Sequence, residues 1–121
     1  VWHHPLESEY EDRIKDNSFL EQLTVAGFRL FLHGHVHKAK NRLHYYDAER
    51  GMHCICAGTF GAHSRELETG TPWQYNLLRF EGDALKVQTR KRESENGAWM
   101  ADTRWKQGHG KPDLDYYTIQ L

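Results

Sequence analysis

The chain has 121 residues, 38% hydrophobic and 27% charged, enough for one self-supporting core and too few for two ordinary domains. Sixteen Lys plus Arg against 17 Asp plus Glu leave a formal net charge of −1, which removes the argument for a uniformly basic nucleic-acid binder but not for local patches. No apolar run approaches the roughly 18 residues of a membrane-spanning helix, so no membrane partner is expected.

In chain order, Val1-Trp2-His3-His4-Pro5 reads as the end of a strand, because Pro5 removes a ladder donor. An edge of Val1 and Trp2 alone would hold little, so the sequence is expected to begin inside an element. Residues 7–17 are acid-rich and read as an exposed loop. Ser18-Phe19-Leu20-Glu21 matches a capping box, Phe19, Leu20, Leu23 and Ala26 recur at helical spacing, and Gly27 supplies the stop. Residues 28–32 form a short apolar strand that opens onto His33-Gly34-His35-Val36-His37.

Residues 43–46 and 52–57 read as one hairpin, and residues 75–80 and 84–89 as a second around Glu81-Gly82-Asp83. The alternation of Asn76, Leu78 and Phe80 with Leu77 and Arg79 predicts a strand covered on both faces. Residues 58–61 and 68–72 are loops by composition. Arg90-Lys91-Arg92 could touch phosphate or nucleic acid but reads rather as a solvated edge that discourages further pairing, and Trp73, Trp99 and Trp105 could stack bases but read rather as core anchors. The order strand, helix, strand, then hairpins predicts an α/β class with a mixed sheet. Residues 1–92 are expected to form the main unit, and residues 93–121 a C-terminal extension ending in a strand.

Cys54 and Cys56 flank Ile55 in an apolar strand and read as small buried residues rather than a disulfide or metal pair. Their use points to a reducing, cytoplasmic compartment. Histidine is the unusual feature, with nine copies. Neutral imidazole binds zinc, iron and manganese, and ligand sites in open α/β sheets lie beyond the carboxyl ends of strands, where His3, His35 and His37 would all fall. Gly34 is expected to let the backbone turn tightly around an ion. The pattern is compatible with one metal or with two.

His3-x-Pro5, a helix, an apolar strand and then Gly34-His35-x-His37 resemble, in order and spacing, the second half of the calcineurin-like metallophosphoesterases. The resemblance implies the C-terminal half of a four-layer α/β/β/α sandwich, with β-hairpins after the Gly-His-x-His strand. It implies that His3 and His35 ligate one divalent cation and His37 a second, the ions being manganese, iron or zinc. His4 and His33 would support or pack beside these ligands, and His63 would touch the rim of the site. The implied activity is that of a hydrolase, a phosphatase or phosphodiesterase that uses a metal-bridging hydroxide on a phosphoester substrate.

The family's first-half motifs, Asp-x-His, Gly-Asp-x-x-Asp and Gly-Asn-His, do not occur in this sequence. A further partner is therefore expected: the N-terminal half of the same domain, without which the chain alone should be inactive. Two other readings stand beside this one. In the first, His3, His35 and His37 hold a single structural zinc without catalysis. In the second, the hairpins and the aromatic tail dock a partner. Nucleic acid is possible as a ligand but not indicated, and His44, His53 and His109 have no metal-like spacing.

Overall fold

The computed structural model describes residues 1–4, 17–34, 36–45 and 51–121, without the side chains of residues 17, 18, 44 and 45. The expected acidic loop, Pro5 and His35 lie outside the described residues, as does the Ser18 side chain on which the capping box rests. Contacts divide the chain into two compact units, Val1–Gly58 and Thr59–Leu121. Among the described residues no helix is long and apolar enough to cross a membrane.

In the first unit, helix α1 spans Asn17–Val25. It ends where the sequence predicts: Gly27 takes φ +88°, its N–H bonds to the Thr24 carbonyl at 3.1 Å, and the Phe28 N–H bonds to the Leu23 carbonyl at 3.0 Å. This is a Schellman closure, and it explains why the next strand starts later than expected. Phe28 is committed to ending the helix, so β1 runs Leu30–His33 instead of from residue 28.

Strand β3, Gly51–Ala57, is the centre of a three-stranded mixed sheet in the order β1-β3-β2, parallel to β1 and antiparallel to β2, Ala39–Tyr45. The sequence expectation for β2 began at residue 43. The strand in fact starts at Ala39, because Lys40, Asn41 and Arg42 are exposed on a strand paired on one side only, where hydrogen bonding rather than burial sets its length. Phe31, Met52 and Cys54 share the sheet face on which Phe19, Leu20 and Leu23 of α1 pack. Met52 is fully buried, and burial of a side chain of this kind is worth about 1.5–3 kcal/mol. Cys54 and Cys56 are both buried free thiols, as expected.

The second unit is built on a long hairpin of β4, Trp73–Glu81, and β5, Ala84–Arg92. Its two-residue turn needs the positive φ of +60° that Gly82 supplies. Residues 93–121 contribute β6, Met100–Ala101, and β7, Tyr116–Gln120, and both pair with the edge of β5 that β4 leaves open. Arg90-Lys91-Arg92 is therefore not a solvated edge. These residues lie inside β5, opposite Tyr75, Gln74 and Trp73, and β6 covers Arg90 and Lys91 from the other side. The expectation of a strand covered on both faces also fails, since Leu77, Arg79 and Phe80 at the far end of β4 are exposed.

Leu85, Val87 and Thr89 form the buried face of β5. Below them lies a polar network. The Gln74 amide donates to the Asp102 carboxylate at 2.5 Å, the Thr89 hydroxyl donates to Asn76 at 2.9 Å, and the Trp105 indole N–H donates to the Thr89 hydroxyl at 3.0 Å. The Asn76 Nδ2 has no partner among the described residues, while the other members of the network bond to one another and so favour one arrangement of the strands.

Candidate metal centre

The histidines of the first unit are positioned by backbone pairing. The Trp2 N–H bonds to the Leu32 carbonyl at 2.8 Å and the Gly34 N–H to the His3 carbonyl at 3.0 Å, so residues 2–3 run parallel beside β1, with Trp2 opposite His33. Parallel neighbours end at the same side of a sheet, and this pairing brings His3 to the carboxyl end of β1. A Cβ placed on Gly34 would lie 3.5 Å from His3 Nδ1, which puts the His3 ring against the residue that precedes His35. His3 is exposed and His4 half-buried, their rings meeting edge-on at 4.9 Å. Trp2 in turn packs on Phe19 of α1, with ring centroids 5.7 Å apart.

Gly34 does not play the steric part expected of it. It does not take a positive φ, and 3.5 Å is an ordinary van der Waals contact, so an alanine side chain fits here. The glycine leaves open space beside the His3 ring rather than permitting a turn that other residues cannot make.

His33 belongs to β1 and shares a sheet face with Phe31 and Cys56. Its Nδ1 lies 3.0 Å from the Gly34 carbonyl. Burial pushes the imidazole below its usual range, with Lys40 adding to the shift and the Gly34 hydrogen bond opposing it. The ring is thus held neutral at the foot of the loop. His37 is exposed on the bend that follows.

The residue that sequence reasoning missed is Cys56. It is fully buried, and its thiol donates to the Val36 carbonyl at 3.1 Å, with the Gly34 carbonyl at 3.8 Å. One side chain thereby ties the backbone on either side of His35 to the central strand. Burial pushes the Cys56 thiol up from its usual range, opposed by the Gly58 and Val36 backbone and by Lys40. The available signal was positional: Cys56 pairs with His33 in the parallel register and with Lys40 in the antiparallel one.

His63 lies in the second unit, where it caps a short 3-10 turn at Ser64–Glu66. Its Nδ1 accepts from the Arg65 N–H at 3.3 Å, and its own N–H donates to the Glu66 carboxylate at 2.8 Å. A cavity of about 340 Å³ in the same unit is lined by Lys91, Glu93, Asp102 and Arg104 and by none of the histidines. Among the described residues no three His, Cys, Asp or Glu side chains form a metal-holding group, and His35 is outside that set. No protein-family model, curated protein or solved structure matches the chain.

Proposed function

We propose that this chain carries the C-terminal half of a dimetal phosphoesterase domain, in which His3, His35 and His37 are ligands. The observation that carries the reading is the parallel pairing of Trp2 with His33, which sets the His3 ring against Gly34 at the carboxyl end of β1. The donor set fits divalent manganese, iron or zinc, which accept neutral imidazole nitrogen. When bound, such cations supply a hydroxide nucleophile near neutral pH and offset the charge on the phosphoryl oxygens.

The chain's own residues bind and orient. His3 lies at the carboxyl end of β1 and His37 follows that strand, while Cys56 holds the Val36 backbone between positions 35 and 37; His35 would complete the set. Burial disfavours the charged form of His33 in β1, which limits its repulsion toward a cation. Carboxylate ligands between two ions must come from residues beyond this set, and a second half of the domain is the partner that would provide them. The α/β/β/α arrangement of that whole belongs to the same proposal.

The test is manganese content and hydrolysis of bis(p-nitrophenyl) phosphate by the complete polypeptide that carries this sequence. His35→Ala and His3→Ala should each lower activity by more than the roughly 10- to 100-fold typical of a residue that only supports a ligand, with metal content falling in parallel. Unchanged activity and metal content in His35→Ala would overturn the reading.

A further inference from the structure

A second surface, on the second unit, is independent of the histidines. Directly opposed residues of an antiparallel pair share a face, so the register puts Arg79 opposite Lys86, Tyr75 opposite Arg90 and Trp73 opposite Arg92, all on the face away from buried Leu85, Val87 and Thr89. Four cations thus occupy one side of the hairpin, and among the described residues none of them forms an ion pair. Glu81 shares the face at the turn end, and Gln88, between Lys86 and Arg90 on that face, donates to the Asp115 carboxylate at 2.7 Å. Like charges placed directly across a sheet are destabilising, so the Arg79–Lys86 pairing is a local cost that an anion would relieve. From Arg92 to Lys86 the stripe spans six residue steps of strand, about 20 Å, longer than one phosphate or one nucleotide requires.

The same face carries aromatic rings. Phe60 stacks on Trp99 at 5.1 Å with only 9° between planes, Tyr75 meets both edge-on, and Phe60 keeps 63% of its surface exposed. Arg92 lies over Trp99 at 5.2 Å and over Trp73 at 5.0 Å, and its buried Nε has no hydrogen-bond partner among the described residues. Arg90 donates to the Trp99 carbonyl at 3.2 Å and Lys86 lies 4.0 Å over the Tyr116 ring, but none of the four has a carboxylate partner among the described residues, and rings beside such a row match a ligand with alternating flat bases and phosphates. Bases within a duplex are already stacked on one another and cannot use Phe60, which selects the unpaired form.

We propose that this face of the β4–β5 hairpin binds single-stranded nucleic acid, with a base stacked on the Phe60–Trp99 pair and the backbone following Arg92, Arg90, Lys86 and Arg79. The test is fluorescence anisotropy of a labelled short oligothymidylate against the chain, at low salt and with chelator present, so that failure here leaves the metal reading untouched and failure there leaves this one untouched. Binding is expected with a log–log salt slope near −3, from about −0.7 for each of four phosphates neutralised. Phe60→Ala should weaken it roughly 5- to 100-fold. Arg79→Ala should flatten the slope by about 0.7. Both side chains are exposed, and circular dichroism would verify that each variant keeps its fold. The proposal is overturned by absence of binding at low salt, by wild-type affinity in both variants, or by displacement of the oligonucleotide by heparin or duplex DNA at equal charge concentration.

Discussion

Replacing Cys56 by alanine tests how the histidine loop is held. The side chain is fully buried and its thiol donates to the Val36 carbonyl at 3.1 Å. Losing a buried group about the size of a methylene costs about 0.8 kcal/mol. The cavity left behind, on the order of 25 Å³ at about 24 cal/mol per Å³, costs about 0.6 kcal/mol. A weak thiol hydrogen bond contributes about 0.5 kcal/mol. Together these destabilise the central strand by about 2 kcal/mol, a 30-fold rise in the opening equilibrium at about 1.4 kcal/mol per decade. Native-state amide exchange of residues 51–57 reads that opening directly. Cys54→Ala is the control, being buried on the same strand with its thiol 3.9 Å from the Met52 carbonyl. Both variants should speed exchange in β3, whereas only Cys56→Ala should weaken manganese uptake by the complete polypeptide. Equal effects of the two on metal uptake, or unchanged β3 exchange in Cys56→Ala, would refute the reasoning.

Two further outcomes follow from the same packing. Burial raises the Cys56 thiol, so between the ordinary and the raised value the unfolded chain has lost a proton that the folded chain keeps. Its stabilising contribution is full below the ordinary thiol range and declines above about pH 8.5, by up to about 1.4 kcal/mol per pH unit. In urea titrations from neutral to alkaline pH, the margin of the native chain over Cys56→Ala should therefore shrink, and a constant margin would contradict the assignment. In the second unit, Asp102→Ala removes the acceptor of the Gln74 amide, which is 1% exposed, and the carboxylate 3.4 Å from the Arg104 guanidinium. Thermal unfolding should show a loss of about 2–4 kcal/mol, with Asp102→Asn recovering part of it because its carbonyl still accepts from Gln74.

What was legible in the sequence was mostly local. Gly27 and Gly82 announced a helix end and a hairpin turn because each position requires a positive φ, which only glycine adopts without cost. The apolar runs around Phe31 and Ile55 announced buried strands, and the joint approach of His3 and the loop after β1 followed from two strand ends lying side by side. Less legible were features decided by pairing. Lys40 to Arg42 look like a loop because their side chains face water, yet their backbone is bonded to β3 along one edge. Arg90 to Arg92 look like a guard on an open edge, but the segments that cover them come from residues 100–101, about ten positions later. Cys56 carried no chemical motif, and its hold on Val36 comes from the sheet register. The candidate site rests on residue types alone, whereas the contacts that hold its backbone are set by strand pairing.

That β5 is bonded along both edges gives the second unit an order of assembly. The hairpin with β4 can close as soon as residue 92 has been synthesised, but on the other edge of β5, where residues 100–101 cover only Arg90 and Lys91, residues 84–88 stay bare until residues 116–120 emerge. During synthesis there is thus an interval in which residues 84–88 present unsatisfied backbone groups, the condition under which strands recruit foreign ones. Removing the last six residues would make that interval permanent, turning a central strand into a sticky one. The Leu121 N–H closes onto the Asp83 carbonyl at 2.8 Å and completes the seam.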